Sequence, residues 1–170
     1  AKRSIFLMIS RQSRNGLNDS RGRILPLKQP PYDADGKVEP HDHDEIGSTH
    51  GVIRRVSEQF VVTEADGIKR LSSMAFQASS GEGEGMSVDL QGAIEDAGED
   101  PIAHVSSPVW IGSVRFTAQQ LREEELQVGF DPIPDNPFHG QVWGNFTKSK
   151  RKRLKSVCEW FVSIPNVELG

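Results

Sequence analysis

Between Ser10 and Gly51 the chain carries few apolar side chains and much Arg, Asn, Asp, Gly and Pro. A segment with little apolar surface to bury cannot offset the entropy of ordering itself, so the core has to come from elsewhere. Apolar, β-rich text begins at Val52, which places a compact domain over 51–170 and leaves 1–50 as a basic-to-acidic N-terminal arm or long loop region. Asn15-Gly16, Pro30-Pro31 and Asp35-Gly36 read as turns within it. Loops of such length are uncommon in compact domains, so the segment is an arm, an ordered wrap or a functional loop. Ahead of it, Ile5 to Ile9 form an apolar run too short for a signal core of ~7–15 residues or a membrane span of ~20. That run suits a buried strand.

From Val52 the pattern predicts short elements. Val52–Val56 and Phe60–Thr63 are β-rich, and Asp66-Gly67 is a hairpin signal before Ile68–Leu71. Ser79 to Gly85 reads as a Gly/Glu loop, followed by a strand at Met86–Val88. Asp89 is a candidate N-cap for a helix through Ala97, with Gly98 and Pro101 as stop signals. Val109–Phe116 reads as a strand. Thr117 and Gln120 then form a capping box, with Gly129 as the expected end of that helix. Strands are expected at Phe130–Ile133 and Gln141–Phe146. A last helix starts near Thr147 or Ser149 and presents Leu154, Val157, Cys158 and Phe161 on one stripe until Ile164-Pro165. Paired strands without regular β-α-β alternation predict a single α+β domain, a mainly antiparallel sheet with about three short helices.

Charge is unevenly placed. The formal net charge is −4, yet 1–31 and 145–170 are strongly basic while 32–100 is strongly acidic. Within the basic C-terminal block, Lys148, Lys150, Arg151, Lys152, Arg153 and Lys155 crowd the first part of the last helix, where the macrodipole prefers acids. This offers a phosphate-contacting face. The single cysteine, Cys158, excludes an intramolecular disulfide and any multi-Cys zinc site, which points to a reducing, cytoplasmic setting. No stretch calls for a membrane partner.

Several residue groups could carry chemistry. His41, His43, Asp44 and His50 bring imidazole and carboxylate together as candidate ligands for a divalent metal, although their spacing fits no standard zinc motif. Gly81 to Gly85 lacks P-loop spacing and carries two glutamates, so it reads as a hairpin tip or lid. His139 sits in a tight turn between strands, where a near-neutral pKa suits acid–base work. Arg54 and Arg55 are neighbours on a strand, so one of them faces inward and must find a carboxylate or line a cleft.

Three resemblances accompany these readings. His41 to Arg54 resembles the D-H-D-H-x-T-G-x-V-R-G segment of phage HNH resolvases, whose four-Cys zinc scaffold one cysteine excludes. Arg54, the pair Ser72-Ser73 and an acidic residue farther on resemble in outline the NAD-cleaving ADP-ribosyltransferases. Ser72 to Phe76, Met86-Ser87-Val88-Asp89 and Asn136-Pro137-Phe138-His139, with Arg54-Arg55 upstream, resemble a loosely defined set of small uncharacterised bacterial proteins over Gly51 to Pro165. That last resemblance implies no activity.

Two functional classes follow, with a third beside them. The first is a small cytoplasmic binding module that contacts nucleic acid or another polyanion through the C-terminal helix. The second is an enzyme for a nucleotide or phosphorylated substrate, with His50, Arg54 and His139 lining a cleft. It would be a metal-dependent phosphoesterase or nuclease, or ADP-ribosyltransferase-like. The third is a subunit that meets a protein partner through Trp110, Trp143 or Trp160.

Overall fold

The structure, a computed structural model, describes residues 26–81, 83–106 and 111–170. The expected strand at Ile5–Ile9, the turn at Asn15-Gly16, Glu82, and Val109 and Trp110 lie outside the described residues.

Strand β1 (Gly51–Val56) is followed by a hairpin of β2 (Val61–Thr63) and β3 (Lys69–Leu71). Its turn needs the left-handed backbone of Gly67, whose φ is 80°. Next come β4 (Met86–Leu90), α1 (Gln91–Asp96), α2 (Pro101–Val105), β5 (Gly112–Thr117) and α3 (Ala118–Glu123). The chain continues through β6 (Gln127–Phe130), β7 (His139–Trp143), α4 (Lys148–Val157), β8 (Glu159–Val162) and β9 (Val167–Glu168). Six strands form an antiparallel sheet in the order β6-β7-β4-β1-β5-β8, and β2-β3-β9 form a small second sheet in which β3 and β9 run parallel. This is a single α+β domain with a mainly antiparallel sheet. Four α-helices are present among the described residues, one more than expected. None of them is long and apolar enough to cross a membrane.

The elements depart from the sequence reading where tertiary pairing overrides local signals. Asp89 continues β4 against β1 and β7, so it caps nothing and α1 starts behind Leu90 without a side-chain cap. The additional helix, α2, is capped by Asp100 with Pro101 in its first turn. Helix α3 stops at Glu123, and Glu125 takes the left-handed turn with φ 58°. Gly129 instead lies inside β6, where a Cβ would meet the His41 carbonyl at 2.8 Å. Helix α4 ends at Val157, so Phe161 belongs to β8, whose backbone extends the sheet along the edge of β5. Leu154 and Cys158 are buried, while Val157 is exposed.

Helices α3 and α4 and the 3-10 turn at Ser73–Ala75 pack on one face of the large sheet. Val52, Val88, Phe116 and Val142 from the sheet meet Leu121 and Leu154 from the helices in one core. Phe76 and Phe116 pack edge to face with ring centroids 5.6 Å apart. The core also reaches upstream of Val52, because Val38 and Ile46 are buried. Asp42 fastens that wrap. Its carboxylate accepts from the Val128 amide at 2.9 Å and from Arg122, and the His43 amide donates to the Val128 carbonyl.

The opposite face of the sheet carries mostly polar side chains, with Ile53 and Trp143 buried among them. Register pairs Ser87 with Gln141 and Asp89 with His139 across β4 and β7. Ile53 lies opposite both Asp89 and Arg115, so strand alternation puts Arg55 on this face too.

Candidate functional site

The β6–β7 connection doubles back tightly, with Ile133 bridged to Asn136 and the Asp131 amide donating to the His139 carbonyl at 3.1 Å. This return brings the Asp131 carboxylate beside the imidazole of His139. From the neighbouring strand, Ser87 reaches the same ring as the diagonal partner of His139 across the sheet.

His139 is 9% exposed, and both its ring nitrogens are engaged. Nδ1 lies 2.7 Å from the Asp131 carbonyl and 3.3 Å from its carboxylate Oδ2. A carbonyl can only accept, so Nδ1 carries a proton, and in the neutral ring Nε2 is left to accept from the Ser87 hydroxyl at 2.6 Å. Burial pushes the imidazole pKa down, but hydrogen bonding to Asp131 and its negative charge outweigh that, and the net shift is upward. Burial likewise pushes the Asp131 carboxyl up, while hydrogen bonds from His139 and Gln141 and the charge of His139 carry it below its ordinary value.

The pair opens on a cleft of about 360 Å³ whose lining includes Tyr32, Lys37, Glu84, Asp131, His139 and Gln141. The Gln141 amide donates to the carboxylates of Asp131 and Glu84, and Lys37 pairs with Glu84 at 2.9 Å. Behind it, Asp89 is 3% exposed and accepts two hydrogen bonds from Arg55 and one from Asn136. Asn136 Oδ1 in turn meets His104 Nε2 and the Phe138 amide. These contacts pin the connection between Asp131 and His139, so the arrangement is held in place by a paired buried charge. His139 begins β7 and, against the sequence reading, does not sit in the turn itself.

The other sequence candidates have separate positions. Arg54 is the arginine on the core face of β1 and, against expectation, it meets carbonyls and does not line the cleft, whereas Arg55 on the polar face pairs with Asp89. Arg54 donates to the carbonyls of Ala75 and Ser87, tying β1 to its neighbours. His50 is exposed, with Nδ1 accepting from the Gly47 amide and its ring against Gly92, whereas His139 has Ser87 and Asp131 as partners. His41 and His43 are 5.7 Å apart between ring centroids. The ring nitrogens of His41 meet Glu39 and Phe130 backbone, and those of His43 meet Lys28 and Glu45 backbone. Asp44 points outward to Lys28 at 3.2 Å. Hence His41, His43, Asp44 and His50 do not form one ligand set, and no group of three or more candidate metal ligands occurs among the described residues.

The cations of α4 divide in two. Arg153 forks onto Glu124 at 2.8–3.0 Å, holding that carboxyl below its ordinary range. Lys150 is buried and lies 3.8 Å from Glu125, and Arg151 donates to Gln77. The negative C-terminal end of α3 therefore takes up part of the positive charge that looked misplaced on α4. Lys148, Lys152 and Lys155 meet no carboxylate among the described residues. Trp143 is 4% exposed and donates to the Gly83 carbonyl, which removes it as a surface anchor, and Trp160 is half-buried against the core.

Ser87 and Asp131 were not among the sequence candidates. Ser87 is 52 residues from His139 and only strand pairing joins them. Asp131 lies eight residues away across a Pro/Asn-rich turn, the one local signal that could have linked the two. No protein family, curated protein or solved structure matches the chain, so what the site does has to be read from its own residues.

Proposed function

We propose that the protein is an enzyme in which His139 transfers protons to and from a small substrate held in the Asp131–Gln141 cleft. One observation carries this reading. A buried imidazole stands at a cleft wall with its tautomer set by the Asp131 carbonyl, a hydroxyl on Nε2 and a carboxylate 3.3 Å from Nδ1 to stabilise the protonated ring. Nucleophile, base and orienting group within reach of one another are the parts that hydrolytic chemistry requires. The experiment is a panel of chromogenic carboxylic and phosphoric esters assayed against pH. Turnover above buffer should fall by about 100-fold or more in His139→Gln. A folded wild type that turns over none of them, or an unchanged rate in His139→Gln, overturns the reading.

A second reading rests on Lys148, Lys152 and Lys155. Lys152 and Lys155 also border a cleft of about 350 Å³ with Ser72, Ser73 and Glu64, the last engaged by Arg70 at 2.8 Å. We infer that this edge of α4 contacts nucleic acid or another polyanion, through three cations instead of six. Heparin retention that falls with salt and is lost in the Lys148/Lys152/Lys155→Ser variant supports it, and equal retention of both forms removes it.

A further inference from the structure

Resting on the proton-transfer role of His139, we propose that Ser87 is a covalent nucleophile and that the cleft takes uncharged carboxylic esters or thioesters. Ser87 Oγ is 2.6 Å from the only ring nitrogen of His139 able to accept its proton, because Nδ1 is committed to Asp131. Its direct cross-strand partner is Gln141, so Ser87 is on the same face of the sheet as the cleft, and it touches the cleft's wall through His139.

The lining decides the class of substrate. Glu84 and Asp131 place carboxylates in the cleft, with Lys37 paired to Glu84, so a phosphoryl dianion meets repulsion where a neutral acyl group does not. Tyr32, Val38 and Ile133 add apolar surface for the acyl chain or the leaving group. In the first half-reaction Ser87 Oγ bonds to the acyl carbon as its proton passes to His139 Nε2. The tetrahedral species then expels the alcohol or thiol, which takes that proton. In the second half a water attacks the acyl-Ser87 carbon and gives its proton to Nε2. The carboxylic acid departs and Nε2 returns the proton to Ser87. Asp131 stabilises the imidazolium formed in each half, and no other reactant is needed.

The test is to treat the wild-type protein with an alkyl fluorophosphonate and locate the adduct by peptide mass. An adduct on Ser87 whose rate of formation drops about 100-fold or more in His139→Gln is the expected result. Reading the adduct on the wild-type chain keeps the test independent of whether a serine variant folds. Absence of an adduct on Ser87, or equal labelling of His139→Gln, overturns the nucleophile. Ester turnover that needs His139 but continues at the wild-type rate in Ser87→Ala also overturns it, and leaves His139 acting on water with the proposed function intact.

Discussion

At the scale of single residues, the site is governed by the coupling of His139 and Asp131. A raised imidazole pKa contributes stability that is complete below the ordinary value of 6.5 and is lost as pH rises through the folded value. A lowered carboxyl pKa contributes stability that is complete above its ordinary 3.8 and is lost as pH falls through the folded value. Both contributions are therefore present between those two ordinary values. Asp131→Asn should accordingly lose most stability in that window and less once pH rises through the folded value of His139, where the bond from Gln141 remains, as read by thermal melting against pH, and the His139 imidazole should titrate lower by NMR. An equal deficit at every pH would mean that the pair is not coupled. Cys158 gives a contrasting expectation. Burial pushes its thiol up to about 12, so it should resist iodoacetamide near neutral pH and react only on unfolding. His139 could be nominated from its turn context, since imidazole chemistry belongs to the residue itself. Ser87 could not, because an isolated serine on a strand carries no sign of which ring will face it.

At the scale of elements, the sequence was most legible where a local motif closes on itself. The Thr117–Gln120 capping box forms with both of its hydrogen bonds, and Thr147 caps α4 through the Lys150 amide. Thr117→Ala should cost about 1 kcal/mol in chemical denaturation, the usual loss of an N-cap. Element ends were less legible wherever another strand competed for the backbone. Asp89, a good cap by composition, is held in β4 by two neighbouring strands, and the segment after Val157 joins the edge of β5 in place of extending α4. The charge on α4 shows the same dependence on neighbours. Its pattern was plain, but whether each cation met an acid depended on where α3 ended. Glu124→Gln releases Arg153 and should elute from heparin at higher salt than the wild type. Unchanged elution would show that this ion pair does not compete with polyanion contact.

For the molecule as a whole, the described part of the N-terminal region is built into the domain. Ile46 belongs to the core, and Asp42 joins the wrap to both β6 and α3. Ile46→Ala should therefore cost about 2–5 kcal/mol and shift one cooperative unfolding transition. A separate low-stability transition for this region would instead mark it as an independent arm. Asp42→Ala should speed amide exchange at His43 and Val128, whose backbone bonds flank the carboxylate. The low apolar content of this region concealed its role, because two buried side chains and one carboxylate clamp are too few to register in composition.

Local pattern alone was enough to predict a mainly antiparallel α+β domain, the starts of α3 and α4 at their threonine caps, and the gathering of basic residues on α4. These follow from propensity, side-chain alternation and local hydrogen bonds, which act over a few neighbouring residues. Strand pairing and helix packing across the fold, which only the tertiary structure decided, set Ser87 on His139, Arg55 on Asp89 and Arg153 on Glu124. Each of these contacts depends on register between segments distant in the chain. A slip of one residue turns every side chain to the other face, so no local pattern can fix it.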